Sequence, residues 1–225
     1  MPYYVHDGNP KIKLPDTYQY VGYIENNGTQ YIDTGYKPNE LTKIVMSFSS
    51  TSNIEYVPLF GSWNINTDSR FNTWFFNTNQ CSFGFGDNNG SSEYVSIVLN
   101  KINTIETYAD STKVYIKNND TIVSYNKGNF VNPNYNVYIF TRNNSGSTTS
   151  FSKFKLHRFK IYDNNDLVRD FVACYRKSDN VAGLYDLVNG VFYTNAGTGS
   201  FTIGPKYNNS VYLIKDNNNS MNIGG

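Results

Sequence analysis

Apolar and polar positions alternate most densely between Lys155 and Phe201. Within that stretch Asn189-Gly190 stands between two short apolar runs, and an Asn-Gly pair tolerates the positive φ angles of a type I′ hairpin turn. A two-residue turn there sets Val188 opposite Val191 and Leu187 opposite Phe192. It places Tyr185, Leu187 and Phe192 on one face, and Asp186 and Tyr193 on the other. Upstream, Asp163-Asn164-Asn165-Asp166 separates Phe159–Tyr162 from Leu167-Val168 and predicts a second hairpin. Phe154 and Leu156 alternate in one phase, Phe159 and Ile161 in the other. A β-bulge near His157-Arg158 produces such a phase change inside one strand; two separate strands are the alternative.

The rest of the chain carries the same signals more sparsely. Asn26-Asn27-Gly28 predicts a hairpin between Val21–Ile24 and Gln30–Ile32. Ile44, Met46 and Phe48 alternate with polar neighbours as a half-buried strand does. Val57–Trp63 follows, with Pro58 marking an edge strand or a strand start. Phe71–Phe76 and Cys81–Phe85 read as two strands joined around Asn77-Thr78-Asn79. Tyr94–Leu99, Asn103–Tyr108, Lys113–Lys117, Thr121–Tyr125 and Asn136–Thr141 read as further short strands, with a turn at Asn118-Asn119-Asp120. No segment combines a helix start, a helical period and a helix stop. Short strands at steady spacing predict an all-β fold, a two-sheet antiparallel jelly-roll sandwich. Pro2, Pro10 and Pro15 break the first eighteen residues, so residues 1–18 read as an extended attachment arm and 19–204 as the jelly roll. Residues 205–225 read as a last strand, Val211–Lys215, followed by a flexible tail.

Composition sharpens this picture. Of 225 residues, 20 are Tyr, 15 are Phe and 34 are Asn, whereas charged residues make up only 16%. Aromatic-rich, charge-poor sequences favour strands. Tyr, Asn, Ser and Thr in loops offer hydrogen bonds and flat rings without charge, as glycan-binding and protein-docking surfaces do. A net charge of +1 gives no electrostatic case for nucleic acid. No apolar run reaches the roughly 20 residues of a membrane span, and the N-terminus lacks the pattern of a signal peptide. Cys81 and Cys174 are the only cysteines and read as buried free thiols rather than a disulfide.

Catalytic constellations are absent from the pattern. His6 and His157 stand far apart, which argues against a His-based triad or a zinc site. Glycoside hydrolysis needs two carboxylates flanking one bond. The five Glu (25, 40, 55, 93 and 106) have no acidic neighbour two positions away. Asp166 and Asp170, with Arg169 between them, read as a solvated hairpin with a local ion pair. The expectation is a protein that is not an enzyme and needs no cofactor, although Asp87-Asn88-Asn89 and Asp163–Asp166 carry oxygens that suit calcium. Trp63 and Trp74, with Asn64 and Asn66, are the candidate glycan-binding residues. Trp63 sits at a strand end, and aromatic faces stack on sugars.

Five segments together carry a family resemblance: Tyr23–Asn39, Leu59–Asn64, Lys113–Ile122, Asn136–Asn144 and Lys160–Phe201. They resemble the concanavalin A-like, laminin-G-like jelly-roll modules found in phage structural proteins and bacterial surface proteins. The resemblance spans residues 19–203 and implies two antiparallel sheets with binding loops at one rim. It implies a virion structural protein, a head fibre or capsid decoration of a crAss-like phage, exposed on the particle and adhering to host-surface glycans. The alternatives are a lectin-like module of a bacterial surface protein and a tail receptor-binding protein. The partners so implied are capsid or other virion proteins and further copies of the chain, as trimer or dimer. The expected contact residues are Tyr3, Tyr4 and Val5 in the arm and Tyr212 and Ile214 in the last strand.

Overall fold

A computed structural model describes residues 11–12, 14–51, 55–77, 79–90, 93–207, 211–215 and 221–224, the first and last two of these segments as backbone only. Tyr3, Tyr4 and Val5 lie outside the described residues. Every regular element described is a β-strand.

Two sheets face each other. The larger runs, in spatial order, Thr121–Asn126, Lys113–Asn118, Asn103–Ala109, Thr42–Ser49, Lys155–Asp163, Asp166–Arg176, Ala182–Asp186 and Val191–Thr194. Tyr18–Tyr20 adds to the end of Asp166–Arg176, and Ile24–Glu25 to the start of Lys155–Asp163. The smaller runs Ser147–Thr148, Asn143–Asn144, Val57–Asn64, Ser69–Asn77, Gln80–Gly86 and Val95–Ser96. Pairing is antiparallel except where Asn143–Asn144 lies parallel to Val57–Asn64. Phe48 of the larger sheet meets Phe75 of the smaller at 6.1 Å between ring centroids, and Phe159 meets Phe60 at 5.3 Å. Ile44, Met46, Phe48, Phe71, Phe83 and Phe85 are fully buried in this one core. The architecture is the expected all-β jelly-roll sandwich.

A second apolar cluster lies on the opposite side of the larger sheet. Leu14, Tyr20, Val172 and Cys174 are buried there beneath Tyr18, Tyr185, Leu187, Phe192 and Tyr207. Leu14 is 1% exposed, so the segment read as a free arm already packs on the body from Leu14 onward. The two cysteines are free and buried, Cys81 in the main core and Cys174 in this outer cluster.

The turns show where sequence reading holds and where it slips. Lys155–Asp163 is one strand with a register shift between Leu156 and Arg158, the bulge that the phase change predicts. The two-residue turn of type I′ belongs to Asn164-Asn165, whose φ angles are 48° and 70° between the paired Asp163 and Asp166. At Asn189-Gly190 the expected two-residue turn does not form. Asp186 pairs with Val191 and Tyr185 with Phe192, so the loop is the four residues Leu187–Gly190. The reason is Asp186: its buried carboxylate accepts hydrogen bonds from the N–H of Val188 at 3.0 Å and the side-chain amide of Asn189 at 2.7 Å. The slip is even, two positions, so each side chain keeps its expected face.

Other expectations are corrected. Ile24–Glu25 and Ile32–Asp33 belong to different sheets, so Asn26-Asn27-Gly28 links the two layers rather than closing a hairpin. Tyr94–Leu99 and Asn136–Thr141 shrink to the strands Val95–Ser96 and Tyr138–Ile139. Asp170 is buried, not solvated, and its partner is Arg158, at 2.8 and 2.7 Å, rather than Arg169. Val211–Lys215 does form a strand, but it lies between Lys11–Ile12 and Met221–Gly224 in a small third sheet. The residues read as a flexible tail thus include a paired strand.

Candidate functional site

The outward face of the smaller sheet holds the candidate site. Alternation along Ser69–Asn77 sends Phe71 and Phe75 into the core and leaves Arg70, Asn72 and Trp74 on the outer face. Across the ladders, Asn72 pairs with Gly61 on one side and Gly84 on the other. Space excludes a side chain at Gly61 and is tight at Gly84. A Cβ on Gly61 would stand 2.2 Å from the Asn72 Cβ, and one on Gly84 would stand 3.0 Å from both Arg70 Cδ and Trp74 Cζ3. The sheet therefore has a bare strip on either side of Asn72, over which its neighbours' side chains lie.

Arg70, Asn72, Trp74 and Pro58 line a pocket of about 180 Å³, closed by Tyr56, Asn89, Arg142, Thr149 and Ser150. That is below the roughly 300 Å³ at which pockets for drug-sized molecules begin, and suits one ring or a small polar group. Asn89 reaches the rim, beside Gly90, whose carbonyl, like that of Glu93, accepts from the hydroxyl of Ser82 on the outer face of its own strand. Gly90 sits at φ 64°, where a Cβ would collide with the Phe83 carbonyl. Tyr56 also has positive φ, 59°, an unusual state for a bulky residue. Its N–H donates to the Phe75 carbonyl at 2.7 Å, and its ring, 67% exposed, meets Phe76 edge-on while Phe76 stacks on Tyr94. These three rings form an aromatic shelf beside the pocket.

The electrostatics are unusual for a charge-poor chain. The guanidinium of Arg142 stands 4.2 Å from the Trp63 ring and that of Arg70 stands 5.1 Å from it, both cation–π distances. Arg70 also pairs with Asp68, which accepts the Trp63 indole N–H at 3.2 Å. Among the described residues no carboxylate pairs with Arg142. Burial, and then the neighbouring Arg70 charge, lower its pKa to about 10. Buried polar atoms are nearly always hydrogen-bonded. Here Arg70 Nε, Asn72 Oδ1, Arg142 Nε and Thr149 Oγ1, all from residues lining the pocket, are buried without a partner, and so is Asn144 Oδ1 beside Trp63. Asn72 is 2% exposed.

Of the four residues read from sequence as ligand-binding, Trp74 lines the pocket. Trp63 borders it through the two arginines. Asn64 ends the strand Val57–Asn64 and Asn66 lies in the turn beyond it; the Asn64 side chain accepts the Asn66 N–H at 3.0 Å, and neither lines the pocket. Sequence reading missed Arg70 and Asn72, although they precede Trp74 at two-residue steps and so share its face. It also missed Arg142 and Thr149, for which no local signal exists. The calcium candidates behave as turn residues: Asn88 accepts the Gly90 N–H at 2.9 Å, and Asp163 accepts the Asn39 side-chain amide at 2.9 Å. Among the described residues no three acidic, His or Cys side chains gather as metal ligands do.

The chain matches no protein-family model and no curated protein. Among solved structures it is similar to the Ruminococcus gnavus IT-sialidase CBM40, with 17% sequence identity and a TM-score of 0.48 over 67% of this chain and 91% of that one.

Proposed function

We propose that this jelly roll binds carbohydrate without turning it over, and that the ligand occupies the pocket between Trp74, Asn72, Arg70 and Arg142. The carrying observation is one pocket with an aromatic wall whose lining residues Arg70, Asn72, Arg142 and Thr149 each hold a buried polar atom without a partner. A sugar suits that set, because its hydroxyls both donate and accept while the apolar side of its ring packs on an indole. Among the described residues no Asp or Glu lines the pocket. Hydrolysis of a glycosidic bond needs two carboxylates, so binding is the simpler chemistry there. A reducing-sugar assay on polysaccharides should stay at background.

The test is a glycan array probed with the full chain and with Asn72→Ala and Trp74→Ala. The wild type should bind a subset of glycans, and both variants should lose at least about tenfold in signal, as buried contacts at the centre of a site do. An unchanged pattern in both variants would refute this location. The virion carrier implied by the family resemblance, with the pocket serving adhesion to host-surface glycans, is proposed on that resemblance.

A further inference from the structure

We infer that the sugar this pocket selects is acidic, carrying a carboxylate or a sulfate ester that the Arg142 and Arg70 guanidiniums hold. The inference rests on the carbohydrate reading and specifies its ligand. Arg142 and Arg70 line one small pocket whose other lining residues, Tyr56, Pro58, Asn72, Trp74, Asn89, Thr149 and Ser150, are all uncharged. Asp68 occupies Arg70 from the exposed side, with 61% of its side chain open to solvent. Among the described residues Arg142 has the Trp63 ring and no acid. A half-buried guanidinium held beside a like charge is costly unless an anion completes it. A neutral sugar leaves that charge unbalanced, and an anion balances it. The guanidinium's planar fork matches carboxylate and sulfate oxygens in pairs. The chain's net charge is only +1, so this is a local charge and not a share of a basic surface.

The experiment is an array of neutral glycans printed beside their uronate-bearing and sulfated counterparts, read with the full chain at low and high salt, followed by titration of the best matched pair. The acidic member should bind at least about tenfold more tightly than its neutral partner, the worth of one charge-assisted pair, and the gap should shrink as salt is raised. Arg142→Gln should bring the acidic member's affinity down to that of the neutral one, with melting temperature unchanged or raised because an unpaired buried charge is gone. Arg142→Lys should keep part of the preference. A preference confined to uronates or to sulfated glycans supports the inference and assigns the group. Equal binding of neutral and acidic members would overturn it and leave the carbohydrate reading standing, as would an acid preference that Arg142→Gln does not change. No binding to any glycan would overturn both.

Discussion

Asp186 has no solvent exposure, and its carboxylate accepts the backbone N–H of Asp170 at 2.9 Å and of Val188 at 3.0 Å, plus the Asn189 amide at 2.7 Å. Arg169 Nε stands 3.6 Å away, in ion-pairing range though not hydrogen-bonded. Asp186→Ala should therefore cost about 3–5 kcal/mol in denaturant melts, the usual cost of breaking a buried charged network. His157 is the second residue whose chemistry is set by burial. Its Nδ1–H donates to the Gly22 carbonyl at 2.9 Å, and its Nε2 accepts the Ser49 hydroxyl at 3.0 Å, so the neutral ring is fully satisfied. Burial, aided by the charge of Lys155, lowers its pKa below the ordinary 6.5. In the window just below 6.5 the unfolded chain takes up a proton that the folded one refuses, so stability falls with pH there. The melting-temperature advantage of the wild type over His157→Asn should narrow between pH 7.5 and pH 5.5; a constant gap would contradict the burial account. The residue scale is also where sequence reading reached least. Trp74 was legible as an aromatic in a predicted strand. Arg142 was not, because only the fold brings it to a pocket built around residues 56–74.

At the scale of elements, two Asn-rich turns exchange roles. Asn164-Asn165 pays the left-handed φ angles of a type I′ turn, whereas Asn189 works through its side chain, donating to the Val168 carbonyl at 2.9 Å and to Asp186. Glycine replaces backbone strain at no loss but cannot replace an amide. Asn165→Gly should be neutral or slightly stabilising, and Asn189→Gly should cost about 1–2 kcal/mol. Equal effects would contradict the assignment. The difference could not be read locally, since Asn-Gly is the stronger I′ signal of the two and loses only because Asp186 holds its carboxylate under the loop. Alternation, by contrast, placed Ile44, Met46 and Phe48 on one face of a strand and Cys81, Phe83 and Phe85 on one face of another, and both faces are the buried ones, because burial of one face enforces period two. The bulge at His157 was legible for the same reason: within one strand it keeps Leu156 and Phe159 both in the core.

For the whole molecule, the sandwich was readable from strand spacing, but the pairing of distant segments was not. Val211–Lys215 finds its partners in Lys11–Ile12 and Met221–Gly224, two segments with little apolar pattern. That pairing removes the isolated strand edge as a reason for self-association. Avidity remains one, since a pocket for a single ring binds weakly alone and gains from repetition. Light scattering at high concentration should therefore show a homo-oligomer, a trimer ahead of a dimer, and a strict monomer would contradict this. The central claim, that a sugar sits against Trp74 on the outer face of the smaller sheet, has a direct test. The chain contains two tryptophans, so its proton–nitrogen NMR spectrum carries two indole N–H signals, assignable with Trp63→Phe and Trp74→Phe. Titration with a glycan chosen from the array should shift the Trp74 signal progressively and saturably, with a smaller shift for Trp63 through its arginines. Saturable binding that leaves both indole signals in place would contradict the account.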